Sequence, residues 1–229
     1  MGICESNNSK RNSNLNNRIG QIIQQEKLEG EMPPIERKKE EKINKQIEIY
    51  VCKIYGNKKV GTGFLCKIPY PDQFSFLPVL ITNKNIINKD ELLNEKKIKI
   101  TFDNDKVERI IYITSERKIY SNKKYDITII EIIPIIDDIH KFLETDISNE
   151  NYENIYILQY IKGIDCAKSY GKITSINEDD IIEHNCSKNP GGPILLIDNL
   201  KVIGINIEDG KGILLRKSIQ EFNSVFLKK

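Results

Sequence analysis

The chain has 229 residues, with 35 Lys and Arg against 33 Asp and Glu and a formal charge of +2, and it is long enough for one large buried core or two small ones. Its charges are interspersed rather than gathered, which excludes the concentrated basic surface of a nucleic-acid-binding protein. No run of about 18 apolar residues offers a bilayer span, and no apolar h-region marks the start as a secretory signal.

The five Cys (4, 52, 66, 166 and 186) are irregularly spaced and include no C-x-x-C pair. This pattern indicates neither a zinc site nor a disulfide framework and suits a reducing compartment; no metal or cofactor motif is present. The expected location is the cytoplasm. There are 43 Ile, a single Ala (Ala167) and no Trp. Ile is stiff at its first torsion and packs well on a pleated surface, and the best helix former is almost missing, so an all-β core is expected.

In chain order, residues 1–45 read as a disordered arm. Asn7, Asn8, Asn12, Asn14, Asn16 and Asn17 crowd its start, and charges fill Glu36 to Lys45, leaving too little apolar surface to offset the entropy of ordering. Pro33 and Pro34 stiffen its middle, and a short amphipathic helix around Ile35 to Ile47 is a candidate lead-in. From residue 46 onward, apolar runs of five to nine residues alternate with Gly, Pro, Asn and Asp, as in a many-stranded antiparallel fold. The runs predict strands at Ile47–Tyr55, Val60–Ile68, Leu77–Thr82, Lys97–Phe102, Val107–Ile113, Tyr125–Ile133, Asn154–Tyr160, Ser169–Ile176, Pro193–Ile197, Lys201–Ile207 and Gly212–Leu215. A polar divide near residues 137–150 separates two groups, which predicts two small barrels at about 46–136 and 150–217. Ser218 followed by Ile219, Phe222, Val225 and Phe226 predicts a C-terminal helix over about 218–227 with Ser218 as its N-cap.

Three segments carry a collinear pattern. Gly61-Thr62-Gly63-Phe64-Leu65 is followed by Leu80-Ile81-Thr82-Asn83-Lys84-Asn85-Ile86. Then comes Asp126-Ile127-Thr128-Ile129-Ile130, and last Lys188-Asn189-Pro190-Gly191-Gly192-Pro193-Ile194 with Val202-Ile203-Gly204-Ile205. In this order they resemble the catalytic segments of trypsin-like (chymotrypsin-fold) serine proteases, in particular the branch without disulfides, over about residues 46–226. The resemblance implies a two-barrel fold with the base at position 85, the orienting Asp at 126 and the nucleophile at 190. Positions 188 and 190 would supply the oxyanion donors, and His184, Gly204, Ile205 and Asn206 would border the specificity pocket.

Acyl transfer in this family needs a hydroxyl, an imidazole, a carboxylate and two backbone N–H donors. Asn85 stands at the base position, and a carboxamide does not take up a proton near neutral pH. Pro190 stands at the nucleophile position, with neither a hydroxyl nor a backbone N–H. Lys188 replaces the usual Gly, and an alignment that deletes residues after Asn189-Pro190-Gly191 still leaves no Ser ahead of Gly192-Pro193. Of the triad only Asp126 is retained. The expectation is a serine protease homologue without catalysis, a pseudoprotease whose inter-barrel cleft and Val202–Ile207 strand edge bind an extended peptide or protein. The alternatives are a peptidase using relocated residues near Cys186, Ser187 and His184, and a structural scaffold. Cys52 and Cys66, among Ile and Leu, are expected as buried apolar fillers.

Met1-Gly2-Ile3-Cys4-Glu5-Ser6 fits the pattern for myristoylation of Gly2, with Cys4 available for palmitoylation. One acyl chain anchors weakly, and Cys4 with Lys10, Arg11 and Arg18 would supply the second signal. An acylated arm would hold the folded part on the cytosolic face of a membrane; an unmodified arm is the other reading.

Overall fold

The computed structural model describes residues 34–56, 59–147, 152–161, 163–186, 190–208 and 210–227. The described strands form two sheets used in series. The first has the order β5 (Val107–Tyr112), β4 (Lys97–Phe102), β1 (Val51–Tyr55), β2 (Val60–Pro69), β3 (Phe76–Asn83), β7 (Ile127–Glu131) and β6 (Ile119–Asn122), with the short β8 (Leu143–Glu144) parallel to β2. The second is a closed barrel of β10 (Asp165–Ile176), β11 (Ile181–His184), β14 (Lys211–Leu214), β13 (Val202–Glu208), β12 (Pro193–Leu196) and β9 (Asn154–Ile161). Two barrel-like sheets and a C-terminal helix are the architecture expected from the sequence.

Alternation along the strands feeds separate cores. On β3, Leu80 enters the interior of the first sheet while Val79 and Ile81 face outward. On β9, Ile155 and Ile157 enter the second barrel while Tyr156, Leu158 and Tyr160 face outward. The outward faces of both sheets join in a third core between them, so these strands are buried on both sides and read as nearly continuous apolar runs. The chain crosses between the sheets at residues 143–146: Cys66 pairs with Leu143, and the Asp146 amide donates to the Val202 carbonyl at 2.8 Å.

Helix α1 (Arg37–Ile49) belongs to this folded body, so the arm boundary expected at residue 45 is corrected to before Arg37. Ile43 is fully buried in the inter-sheet core, with Ile35, Ile47 and Tyr50 packed against it; burying such a side chain contributes about 1.5–3 kcal/mol. Glu40 bonds Lys168 and accepts from the Tyr170 hydroxyl at 2.6 Å, while Gln46 accepts from the Tyr156 hydroxyl at 2.5 Å and donates to the Leu200 carbonyl at 3.0 Å. Burial opposes ionisation of Glu40, but its bonds to Lys168 and Tyr170 outweigh this and lower its pKa. The helix takes the first residues of the strand expected at Ile47–Tyr55, because Ile43, Ile47 and Tyr50 recur at helical spacing.

Five other described elements lie outside the sequence expectation. The strands β6, β8 and β11 are only four, two and four residues long. Helix α2 (Lys89–Glu95) follows Asn88, whose side chain accepts from the Asp90 and Glu91 amides in a capping box with Glu91. The turn helix α3 (Pro134–Asp137) starts at a proline. Helix α4 (Leu215–Leu227) continues directly from β14. Ser218 is therefore not an N-cap: it lies inside this helix and is fully buried, and Ile219 and Phe222 enter the inter-sheet core.

Candidate functional site: the inter-barrel cleft

β3 ends at Asn83, and the following turn carries Asn85, which is exposed. β7 begins just after Asp126, whose backbone is left-handed at φ 45°. Asp126 Oδ1 accepts the Asn85 amide at 3.0 Å, and the Asp126 carbonyl accepts the Lys84 amide at 3.0 Å. Asn85 and Asp126, the positions the sequence resemblance gives to the base and the orienting Asp, are thus brought together through the backbone of Asn85.

The third segment lies at the start of β12. Pro190 is half-buried and precedes Gly191 and Gly192, which pair with Asn206 on β13. The Gly191 N–H donates to the Asn206 carbonyl at 2.9 Å, and the Asn206 N–H donates to the Gly192 carbonyl at 2.9 Å. Both glycines are required here. Gly191 has φ 97°, and a Cβ on it would lie 2.9 Å from the Thr62 carbonyl oxygen; a Cβ on Gly192 would lie 2.2 Å from the Leu158 carbonyl oxygen. Lys188 and Asn189, like Ser187, lie outside the described residues.

The segments converge on Asn83, which the sequence reading did not single out. It is fully buried, and its Nδ2 donates to the Asp126 carbonyl at 3.2 Å and to the Asn206 carbonyl at 3.4 Å. A Cβ on Gly191 would lie 3.0 Å from Asn83 Oδ1. One carboxamide therefore touches all three pieces of the pattern. Thr62 forms a parallel tie: its Oγ1 accepts the Tyr160 amide at 2.9 Å, and its carbonyl accepts the Thr82 hydroxyl at 2.7 Å. The available signal was an amide-bearing residue at the end of an apolar strand, where burial demands hydrogen-bond partners.

His184 and Asn206 also meet, at the ends of β11 and β13. His184 Nε2 and Asn206 Oδ1 are 2.9 Å apart, a hydrogen bond between the ring and the amide oxygen. Burial lowers the His184 pKa, opposed by its hydrogen bonds to Asn206 and to the backbone at Lys211. Gly204 and Ile205 lie on β13, both buried, and Ile205 faces the inter-sheet core. The edge expected to be available along Val202–Ile207 is occupied over Gly204 and Ile205, where the strand pairs with β12 on one side and β14 on the other. Asn206 bonds the Gly191–Gly192 segment on one side and pairs with Gly212 on the other.

Cys186 is buried, and burial pushes its thiol up to about 12 although a hydrogen bond with Ser169 acts the other way. Its side chain is directed to Ser169, and that of His184 to Asn206. Cys52 and Cys66 are fully buried, as expected, and burial raises both thiols. Gly2 and Cys4 lie outside the described residues. Among the described residues no helix is long and apolar enough to cross a membrane.

No family model and no curated protein matches the sequence. The fold is matched by solved structures, among them the crystal structure of Deg5, with a TM-score of 0.58 and 16% identity over 81% of this chain and 94% of that one. Another is the crystal structure of the serine endoprotease from Yersinia pestis, with a TM-score of 0.57 and 14% identity over 83% of this chain; the match spans 65% of that protein, just under two thirds. The chain has the trypsin-like two-barrel fold, and at these identities the likeness concerns the fold.

Proposed function

We propose that this chain is a trypsin-like domain without peptidase activity that binds an extended peptide or a protein segment. The carrying observation is the pairing of Gly191 and Gly192 with Asn206, which folds the segment at the nucleophile position against the protein's own strand. Attack and proton transfer lack their groups at Pro190 and Asn85, while Asp126 serves as an acceptor for the Asn85 amide. A peptidase with relocated residues is disfavoured by Cys186, whose buried thiol yields little thiolate near neutral pH and bonds Ser169, while His184 bonds Asn206. Strand addition has a more accessible edge at β5, which pairs only with β4 among the described strands and exposes Val107, Ile110 and Tyr112.

The expected result is no labelling by a fluorophosphonate probe and no hydrolysis across a peptide library, together with retention of extended peptides on an array that Ile110→Lys with Tyr112→Lys abolishes. Hydrolysis that disappears in Cys186→Ala or Ser187→Ala would establish a relocated site instead. Absence of any retained peptide would leave the scaffold reading.

We also propose that Gly2 and Cys4 are acylated and tether the domain to the cytosolic face of a membrane. A single myristoyl chain binds with a constant of about 10⁴ M⁻¹ and reverses readily, so Gly2→Ala should release all of the protein and Cys4→Ser most of it on cell fractionation. Equal solubility of wild type and both variants, with no metabolic acyl label, would reduce the start of the chain to an unmodified tail.

A further inference from the structure

The free edge of β5 has a direction set by its pairing with β4. The Ile113 amide donates to the Lys96 carbonyl at 2.8 Å, directly opposite it in the β4–β5 register, so the hydrogen-bonded pairs recur at Ile111, Arg109 and Val107. The N–H and C=O groups of Glu108, Ile110 and Tyr112 therefore point away from β4, toward the side on which β5 has no partner among the described strands. The Glu108 carbonyl accepts Arg109 Nη1 at 2.9 Å, in keeping with that direction. The same three residues place their side chains on the outer face, where Ile110 is 40% and Tyr112 59% exposed. On β4, Lys97 lies opposite Tyr112 and Lys99 opposite Ile110. Lys99 pairs with Glu108 at 2.6 Å, while Lys97 is exposed and makes no ion pair among the described residues.

We infer that this edge is taken by β5 of a second copy of the chain, antiparallel and centred on Ile110. The strand supplies its own complement. In that register Ile110 faces Ile110 of the second copy and Glu108 faces its Tyr112, so all three edge-pointing residues enter hydrogen-bonded backbone pairs. Centring on Arg109 would set two guanidinium groups face to face. Centring on Ile111 would carry Glu108 past the end of the other strand, which stops at Tyr112. Behind Tyr112 of the second copy stands its Lys97, two strand spacings of about 4.8 Å from Glu108 and within the combined reach of the two side chains. Each end of the contact thus joins Glu108 of one copy to the unpaired Lys97 of the other, around a centre of two Ile110 side chains. The same patch serves both copies, so the contact closes as a two-fold dimer. It occupies the edge proposed above for an extended peptide, and a peptide and a second copy exclude each other there; the dimer itself does not depend on that reading.

Sedimentation velocity of the full chain, without added peptide, tests this. The weight-average mass should rise from that of one copy toward that of two as the protein is concentrated about a hundredfold, as mass action requires. Lys97→Glu sets two carboxylates against each other at both ends of the contact, and Glu108→Lys sets two ammonium groups there. Either variant alone should associate at least about tenfold more weakly than the wild type. An equimolar mixture of the two variants should associate one to one, because each then meets the opposite charge in its partner, a rescue that general damage to the fold would not give. A wild-type mass that stays at one copy over the whole range would overturn the assignment. So would a dimer that both variants leave intact, or a mixture no more associated than its components.

Discussion

A variant carrying Asn85→His and Pro190→Ser should still fail to hydrolyse peptides. The two substitutions return an imidazole, a hydroxyl and one backbone N–H to the triad-equivalent positions, and Asp126 is already beside residue 85. They do not rebuild the loop. Gly191 and Gly192 exchange both of their hydrogen bonds with Asn206, Gly191 lies against Thr62 and Asn83, and Gly192 lies against Leu158. A serine introduced at position 190 therefore directly precedes a segment already paired to β13. Lys188 carries a Cβ where the family pattern has Gly, and a backbone turned to aim its N–H at an oxyanion is costly for such a residue. Without a working triad, rates stay at roughly 10³ to 10⁴ over water, and a missing oxyanion donor lowers them by a further factor of about 10² to 10³. Adding Lys188→Gly should improve the variant. Stoichiometric fluorophosphonate labelling of the double variant with Lys188 intact would show that the loop already has a productive shape.

Truncating either member of the Arg117–Asp137 pair should be the most damaging single change to stability. Both side chains are 1% exposed, and two parallel bonds join them, Nη1 to Oδ2 at 2.7 Å and Nη2 to Oδ1 at 2.9 Å. Arg117 also donates to the Glu131 carbonyl at 2.7 Å, and Asp137 accepts the Ile133 amide at 2.7 Å, so the pair ties α3 to the end of β7. Removing one partner leaves a charge buried without compensation, at a cost of about 3–5 kcal/mol. Arg117→Met with Asp137→Leu should cost less than either truncation to Ala, because no charge is stranded, although the Ile133 amide loses its acceptor. Arg37→Ala, which breaks a solvated pair with Glu41, should leave the unfolding curve where it is. Urea unfolding followed by tyrosine fluorescence suits a chain with 10 Tyr and no Trp. A midpoint for Arg117→Ala close to that of the wild type would refute the ranking.

Most of the long strands were legible because apolar runs bounded by turn residues report burial on both faces, as at Val79-Leu80-Ile81. The last residues of α1 were harder to read. Ile47, Ile49 and Val51 alternate like a strand, and docking of Ile43, Ile47 and Tyr50 on the inter-sheet core carries the helix expected around Ile35 to Ile47 on to Ile49. β8 left no periodic signal because it has two residues and pairs with β2 through sequence-distant contacts. At the site, the collinear strings singled out Asn85, Asp126 and Pro190, and Asn85 and Asp126 do meet. The role of Asn83 could not be read in the same way, since its partners lie 43 and 123 residues away and belong to different barrels. Pairing on both sides of β13 is likewise a property of register, which a string of apolar residues does not encode.

The inter-sheet core has a consequence for how the molecule comes into being on a ribosome. Ile43 and Phe222 belong to the same buried cluster, although 178 residues of chain separate them, and Tyr120 is joined to Glu221 across it at 2.5 Å. The interior of the first sheet can assemble from residues 51–139 while synthesis continues. Its outer face keeps Phe64, Val79, Ile81, Ile127 and Ile129 uncovered until the second barrel and α4 have emerged. Contacts this distant in sequence close slowly, so a nascent chain stalled before residue 215 presents a broad apolar face of the kind that chaperones hold.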